Sequence, residues 1–148
     1  MSALKRNFHI KERDFIRAGN ASIQIQNLLK SLGIDAQLIR KVAVCCYEGE
    51  MNVVMHGENG TLTLQIGKDK ITLDILDAGH GIEDIELAMK EGFSTASEED
   101  RKMGFGAGMG LPNMKKNADR FAIHSENGDG THVHLEFLMK QKDAAIER

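Results

Sequence analysis

At Gly57 the apolar residues of this chain change their spacing, and that change narrows the folds open to it. Upstream, Phe15, Ala18, Ser22, Ile25, Leu29 and Leu32 recur at steps of three and four, which places them on one face of a helix. Gly33 follows as a stop signal. Asp35 suits the cap of a second helix running to about His56. Between Leu38 and Met55 its apolar residues cover most of the circumference, so it should be buried on several sides. Downstream the step is two. Leu62, Leu64 and Ile66 alternate, Gly67-Lys68-Asp69 turns the chain, and Ile71, Leu73 and Ile75 alternate again. This predicts an antiparallel hairpin with one face on a core.

The remaining segments extend the pattern. Phe8 and Ile10 alternate weakly as an opening strand, and residues 84–91 read as a short helix. Residues 92–105 have neither period nor apolar content and read as a mobile loop. Leu111, Met114, Ala118 and Phe121 predict another helix, with Pro112 near its first turn. FAIHSE, the turn NGDG and THVHLEFL give a second hairpin, and a polar tail over 140–148 should fray. The 148 residues suit one compact domain, residues 1–148. Helices and hairpins in this order predict an α+β fold, a two-layer sandwich rather than a doubly wound sheet.

Charge and composition remove several classes of function. A net charge of −3, with both signs interspersed, offers no basic surface for nucleic acid or an anionic membrane. The apolar run Val42 to Tyr47 is far below the ~20 residues that span a bilayer. The opening MSALKRNFHIKERDF has no apolar core of a secretory leader. The cysteines, Cys45 and Cys46, adjoin within a helical pattern and read as small buried side chains rather than metal ligands. A cytoplasmic protein is expected.

The stretch GFGAGMG, residues 104–110, holds four glycines in seven positions just before a helix. Glycine costs roughly 0.5–1 kcal/mol in a regular element, so such a cluster implies special φ angles or a ligand against the main chain. A flexible loop is the plain alternative. No GK[ST] follows, which removes a Walker A loop, and Met109 and Leu111 stand where a dinucleotide fingerprint needs glycine. What survives is a row of backbone N–H groups at a helix N-terminus, suited to phosphate.

Two further groups accompany it. Glu48 and Asn52 lie one turn apart on the second helix, with His56 a turn beyond. Polar residues stacked on an apolar helix are costly unless they line a site or are well bonded. Asp77-Ala78-Gly79-His80-Gly81-Ile82 puts a carboxylate at a strand end beside two glycines. A helix amide bonded to a neighbour would explain Asn52, and turn chemistry would explain Asp77. The three groups together, on helix, strand end and loop-to-helix junction, favour a nucleotide site.

On EGEMNVVMHG, DAGHGIEDIELAMKEGFST and GFGAGMGLPNMKKNADRF, the sequence resembles the superfamily of gyrase B, the heat-shock chaperone ATPase, sensor histidine kinases and mismatch-repair ATPases. Within it the chain is most similar to the bacterial partner-switching serine kinases, the anti-sigma factors and the stressosome switch kinase. The likeness covers roughly residues 8–138, and its last two stretches look more like the switch-kinase branch. The resemblance implies a Bergerat-type sandwich, with a mixed, mostly antiparallel sheet and helices on one face. It implies Glu48 as general base and Asn52 as ligand of a Mg²⁺ ion on the ATP phosphates. Asp77 would accept from the adenine amino group, with Gly79, Gly81 and Ile82 lining the nucleotide. Gly106, Gly108 and Gly110 would lie at the phosphates, and residues 84–105, including Thr95, would form the lid. His80 stands at a variable position and receives no role.

Other polar residues have ordinary explanations. Ser94 and Thr95 touching phosphate from the lid, and Arg101 and Lys102 reaching it, compete with a plain solvated loop. His124, His132 and His134 are expected to share the outward face of the last hairpin; solvated strand histidines are ordinary, so metal binding there is left open.

These expectations combine into an ATP- and Mg²⁺-dependent protein serine/threonine kinase of a bacterial partner-switching system. Its implied substrate is an antagonist protein with a sulfate-transporter and anti-sigma-antagonist domain. A sigma factor or a phosphatase is a further partner compatible with the resemblance, as is a homodimer. The alternative is a nucleotide-gated anti-sigma or phosphatase-activating binding module without significant kinase activity. The catalytic part of a sensor histidine kinase is disfavoured, since no dimerising helical hairpin or phosphoacceptor histidine setting is present. A stand-alone ATP hydrolase would need water where the substrate hydroxyl should sit.

Overall fold

A computed structural model describes residues 4–56, 59–79, 89–90, 110–125 and 130–139. Strand β1 (Leu4–Lys11) leads into helices α1 (Asn20–Ser31) and α2 (Ala36–His56). The hairpin β2 (Asn59–Ile66) and β3 (Lys70–Asp77) follows, then α3 (Gly110–Asn117) and the pair β4 (Arg120–Ser125) and β5 (Thr131–Leu138). The sheet order is β1-β2-β3-β5-β4. Every pairing is antiparallel among the described residues, in keeping with the mostly antiparallel sheet expected, and no parallel pair occurs among them.

Period two sorts the strands into two faces. Leu62, Leu64, Ile71, Leu73, Ile75, Val133, Leu135 and Phe137 are all buried, and α2 packs on them with Val42, Val53 and Val54. The residues between them are polar or half-exposed and form the opposite face. Helix α2 meets β3 at Gly49. A Cβ on Gly49 would overlap Ile75 Cδ1, so a larger residue there would have to displace the end of that side chain. That contact seats the turn from Glu48 to Asn52 over the C-terminal half of β3.

The helix ends follow local chemistry. Asp35 Oδ2 accepts the N–H groups of Gln37 and Leu38 at 3.1 and 3.3 Å, the cap expected for α2. Gly33, at φ 73°, closes α1 as its N–H reaches Lys30 O and the Ile34 N–H reaches Leu29 O.

Helix α1 departs from its sequence pattern. It begins at Asn20 rather than Phe15, because residues 15–19 form turns and Arg13 (φ 58°) ties its N–H to Val54 O. Leu32, expected on the buried face, is 42% exposed beyond the end of the helix. The helix expected at 84–91, the lid at 84–105 and the tail at 140–148 lie outside the described residues, apart from Met89 and Lys90.

Candidate functional site

Helix α2 offers Glu48 and Asn52 from adjacent turns of one face, and both are half-buried. Helix α3 packs across that face through Leu111 and the fully buried Met114. Its first residue lies directly over the two side chains. A Cβ on Gly110 would stand 3.3 Å from Asn52 Oδ1 and 3.5 Å from Glu48 Oε2. One turn on, Asn113 Nδ2 donates to Glu48 Oε2 at 3.3 Å. The N-terminus of α3, where unpaired N–H groups and the helix dipole favour an anion, therefore opens beside an amide oxygen and a carboxylate.

Strand β3 supplies the third element. Alternation from Leu73 and Ile75 sends Asp77 toward the helix-covered side of the sheet. Asp77 Oδ1 accepts the Gly79 N–H at 2.8 Å, closing a tight turn, while the Ala78 N–H reaches Asn59 O. Gly130 crosses behind this turn at φ 80°, and a Cβ there would overlap Asp77 O.

Of the residues singled out from sequence, Glu48, Asn52 and Gly110 are brought together, and Asp77 and Gly79 form the neighbouring turn. Gly81, Ile82, Thr95, Gly106 and Gly108 lie outside the described residues. Cys45, one turn before Glu48, donates weakly to Met114 O at 3.6 Å. Burial, and then the charge of Glu48, push its thiol up to about 12, so it stays protonated.

Two residues escaped the sequence reading. Asn113 carries the only signal available for it, a polar residue one turn into a phosphate-type helix. Glu50, between Glu48 and Asn52, has a structural task instead. It is 3% exposed, and its two oxygens accept the N–H groups of Ala21 and Ser22 at 3.3 and 3.2 Å. It therefore caps α1, whose Gly19 N-cap has no side chain to do so. Burial pushes the Glu50 carboxyl up from its ordinary range, and these backbone donors pull against that. A cleft of about 610 Å³ lined by Lys11, Arg17, Gln24 and Glu50 is a separate place, sharing none of the five site residues.

Residues 36–141 match the family described as histidine kinase-, DNA gyrase B-, and HSP90-like ATPase. An anti-sigma F factor of Thermoanaerobacter sp. (strain X514) is 38% identical over 102 residues, covering 66% of this chain and 68% of that protein. The serine/threonine-protein kinase RsbT of Bacillus subtilis (strain 168) is 29% identical over 112 residues, covering 73% and 78%. A solved structure of the RsbU and RsbW domains of Rv1364c from Mycobacterium tuberculosis superposes with a TM-score of 0.57 at 17% identity. It covers 91% of this chain and 32% of that one, a likeness of fold alone. Among the described residues no helix is long and apolar enough to cross a membrane.

Proposed function

Because the chain belongs to the histidine kinase-, DNA gyrase B-, and HSP90-like ATPase family, we propose that it is a cytoplasmic, ATP- and Mg²⁺-dependent protein serine/threonine kinase of a bacterial partner-switching system. ATP binding follows from the family, and the kinase and anti-sigma names of its relatives support a partner-switching kinase. One observation carries the reading: the bare first residue of α3 leaves room over Asn52 and Glu48 that a side chain would fill.

The residues fit a bound nucleotide and its ion. Mg²⁺ takes hard oxygen ligands and draws few from protein, so Asn52 Oδ1 with phosphate oxygens and water suffices. ATP with Mg²⁺ supplies the phosphoryl group and offsets its charge. Glu48 takes the proton of the incoming hydroxyl, and Asn113 orients the oxygen that receives it. Asp77 accepts from the adenine amino group. Gly79, Gly81 and Ile82 flank the base, while Gly106, Gly108, Gly110 and Thr95 serve the phosphates.

The substrate is a small antagonist protein with a sulfate-transporter and anti-sigma-antagonist domain. The anti-sigma names favour a second reading, in which nucleotide only sets whether a sigma factor or phosphatase is held. Incubation with labelled ATP and such an antagonist separates the two. Phosphoserine or phosphothreonine on the antagonist supports the kinase. Nucleotide-dependent partner binding without transfer moves the conclusion to the second reading.

A further inference from the structure

The sheet face turned away from the helices carries a compact polar cluster that the nucleotide site does not use. His132 and His134 stand two apart on β5, and Asp74 lies directly opposite His134 on β3. Alternation puts all three on the outer face. His132 Nε2 and His134 Nδ1 converge on one oxygen, Asp74 Oδ1, at 2.8 and 2.7 Å. The three donor atoms lie within 4.8 Å of one another. Both rings remain open to solvent, with side chains 41% and 33% exposed.

The surroundings of His134 distinguish this cluster from an ordinary polar ladder. Its second ring nitrogen, Nε2, contacts Glu136 Oε2 at 2.8 Å, and the other oxygen of Glu136 pairs with Lys70 Nζ at 3.2 Å. A histidine that binds metal through one nitrogen almost always gives its other N–H to a carboxylate or carbonyl, which fixes the ring and raises its basicity. Here that outer partner is present and is itself held in place.

We propose that Asp74, His132 and His134 form a surface site for a divalent transition ion of the zinc class, with Glu136 orienting His134. Two imidazoles and one carboxylate are a donor set suited to Zn²⁺, and the solvent-facing side leaves water the fourth position. A tetrahedral Zn²⁺ site with bonds near 2.0–2.1 Å needs donor atoms roughly 3.3 Å apart. The rings must therefore open by about half an ångström from their contacts with Asp74, a small side-chain rotation at a surface. The ion takes the place of the proton between each ring nitrogen and Asp74: a neutral ring keeps its proton on its other nitrogen, and a doubly protonated ring gives one up to solvent. It ties β3 to β5 across residues of one register. Cys45 and Cys46 do not compete, because both are buried and burial raises both thiol pKa values.

The test uses the full chain freed of metal by chelator, then titrated calorimetrically with zinc sulfate. One Zn²⁺ should bind per chain, and cobalt(II) at the same site should give the intense visible bands of four-coordinate geometry. His132→Ala and His134→Ala should each weaken zinc binding at least about tenfold, and Glu136→Ala by about 10–100-fold, through loss of the orienting contact. His9→Ala, on β1, should bind as the unmutated chain does. Because the His132 and His134 side chains are 41% and 33% exposed, the melting temperatures of their variants measured with chelator should match that of the unmutated chain. Should one variant fold poorly, Asp74→Asn and His132→Gln carry the same prediction. Absence of zinc uptake at saturating concentration overturns the site, and so does uptake unaffected by the His132 and His134 variants.

Discussion

Asn113 of α3 donates its side-chain amide to Glu48 of α2 at 3.3 Å, joining residues 65 positions apart. The bond holds the carboxylate beside the N-terminus of α3, where a nucleophile would meet a phosphoryl group. It also means that Glu48 can be perturbed through α3 without being replaced.

Glu48→Ala should therefore separate chemistry from binding. A general base acts on the incoming hydroxyl and contributes about 10²–10⁴-fold in rate. Nucleotide affinity and partner binding should persist while phosphate transfer falls at least about a hundredfold. Asn52→Ala should in addition lose the Mg²⁺-dependent part of ATP affinity. Affinity, melting temperature and phosphoserine formation measured on the same variants decide the matter. A Glu48→Ala protein that phosphorylates at the normal rate removes this residue from the mechanism.

Gly110→Ala tests the space over Asn52. The added methyl would stand 3.3 Å from Asn52 Oδ1, so the amide must give way by tenths of an ångström. Alanine is favoured over glycine within a helix by up to about 1 kcal/mol, so stability should hold or rise. The expected signature is weaker ATP·Mg²⁺ binding at an undiminished melting temperature. Unchanged affinity would mean that nothing binds in that space.

Asp77→Asn addresses the base. A carboxylate accepts from the adenine amino group but opposes the guanine carbonyl, leaving two acceptors face to face. ATP should bind well above GTP, and the variant should lose about 1.5–3 kcal/mol, roughly ten- to a hundredfold, in ATP affinity. Equal affinities for the two nucleotides would sink the assignment.

Glu50→Ala should fail in another way. It strips the acceptors from the Ala21 and Ser22 N–H groups, and a buried donor left unpaired costs about 1–3 kcal/mol. Glu50→Gln keeps one acceptor oxygen and should cost less. Urea unfolding of the two variants checks the order; a Glu50→Ala protein as stable as the unmutated chain would show that α1 needs no such cap.

The periodicities of residues 15–75 made the helices, the first hairpin and much of the core legible, because side-chain direction repeats within a few residues of the backbone. The caps at Gly33 and Asp35 were readable for the same reason. The likeness of EGEMNVVMHG and DAGHGIED to known ATPases singled out Glu48, Asn52 and Asp77. Tertiary structure alone decided the rest. Glu50 and Glu48 are the same residue type two positions apart, yet one reaches back 28 and 29 residues to cap α1 and the other reaches forward 65 to Asn113. Asp74 looks like an ordinary strand carboxylate until register sets it against His134, 60 residues on. Local pattern fixes which way a side chain points; the partner waiting there is set by long-range packing and strand register, which no short window of sequence contains.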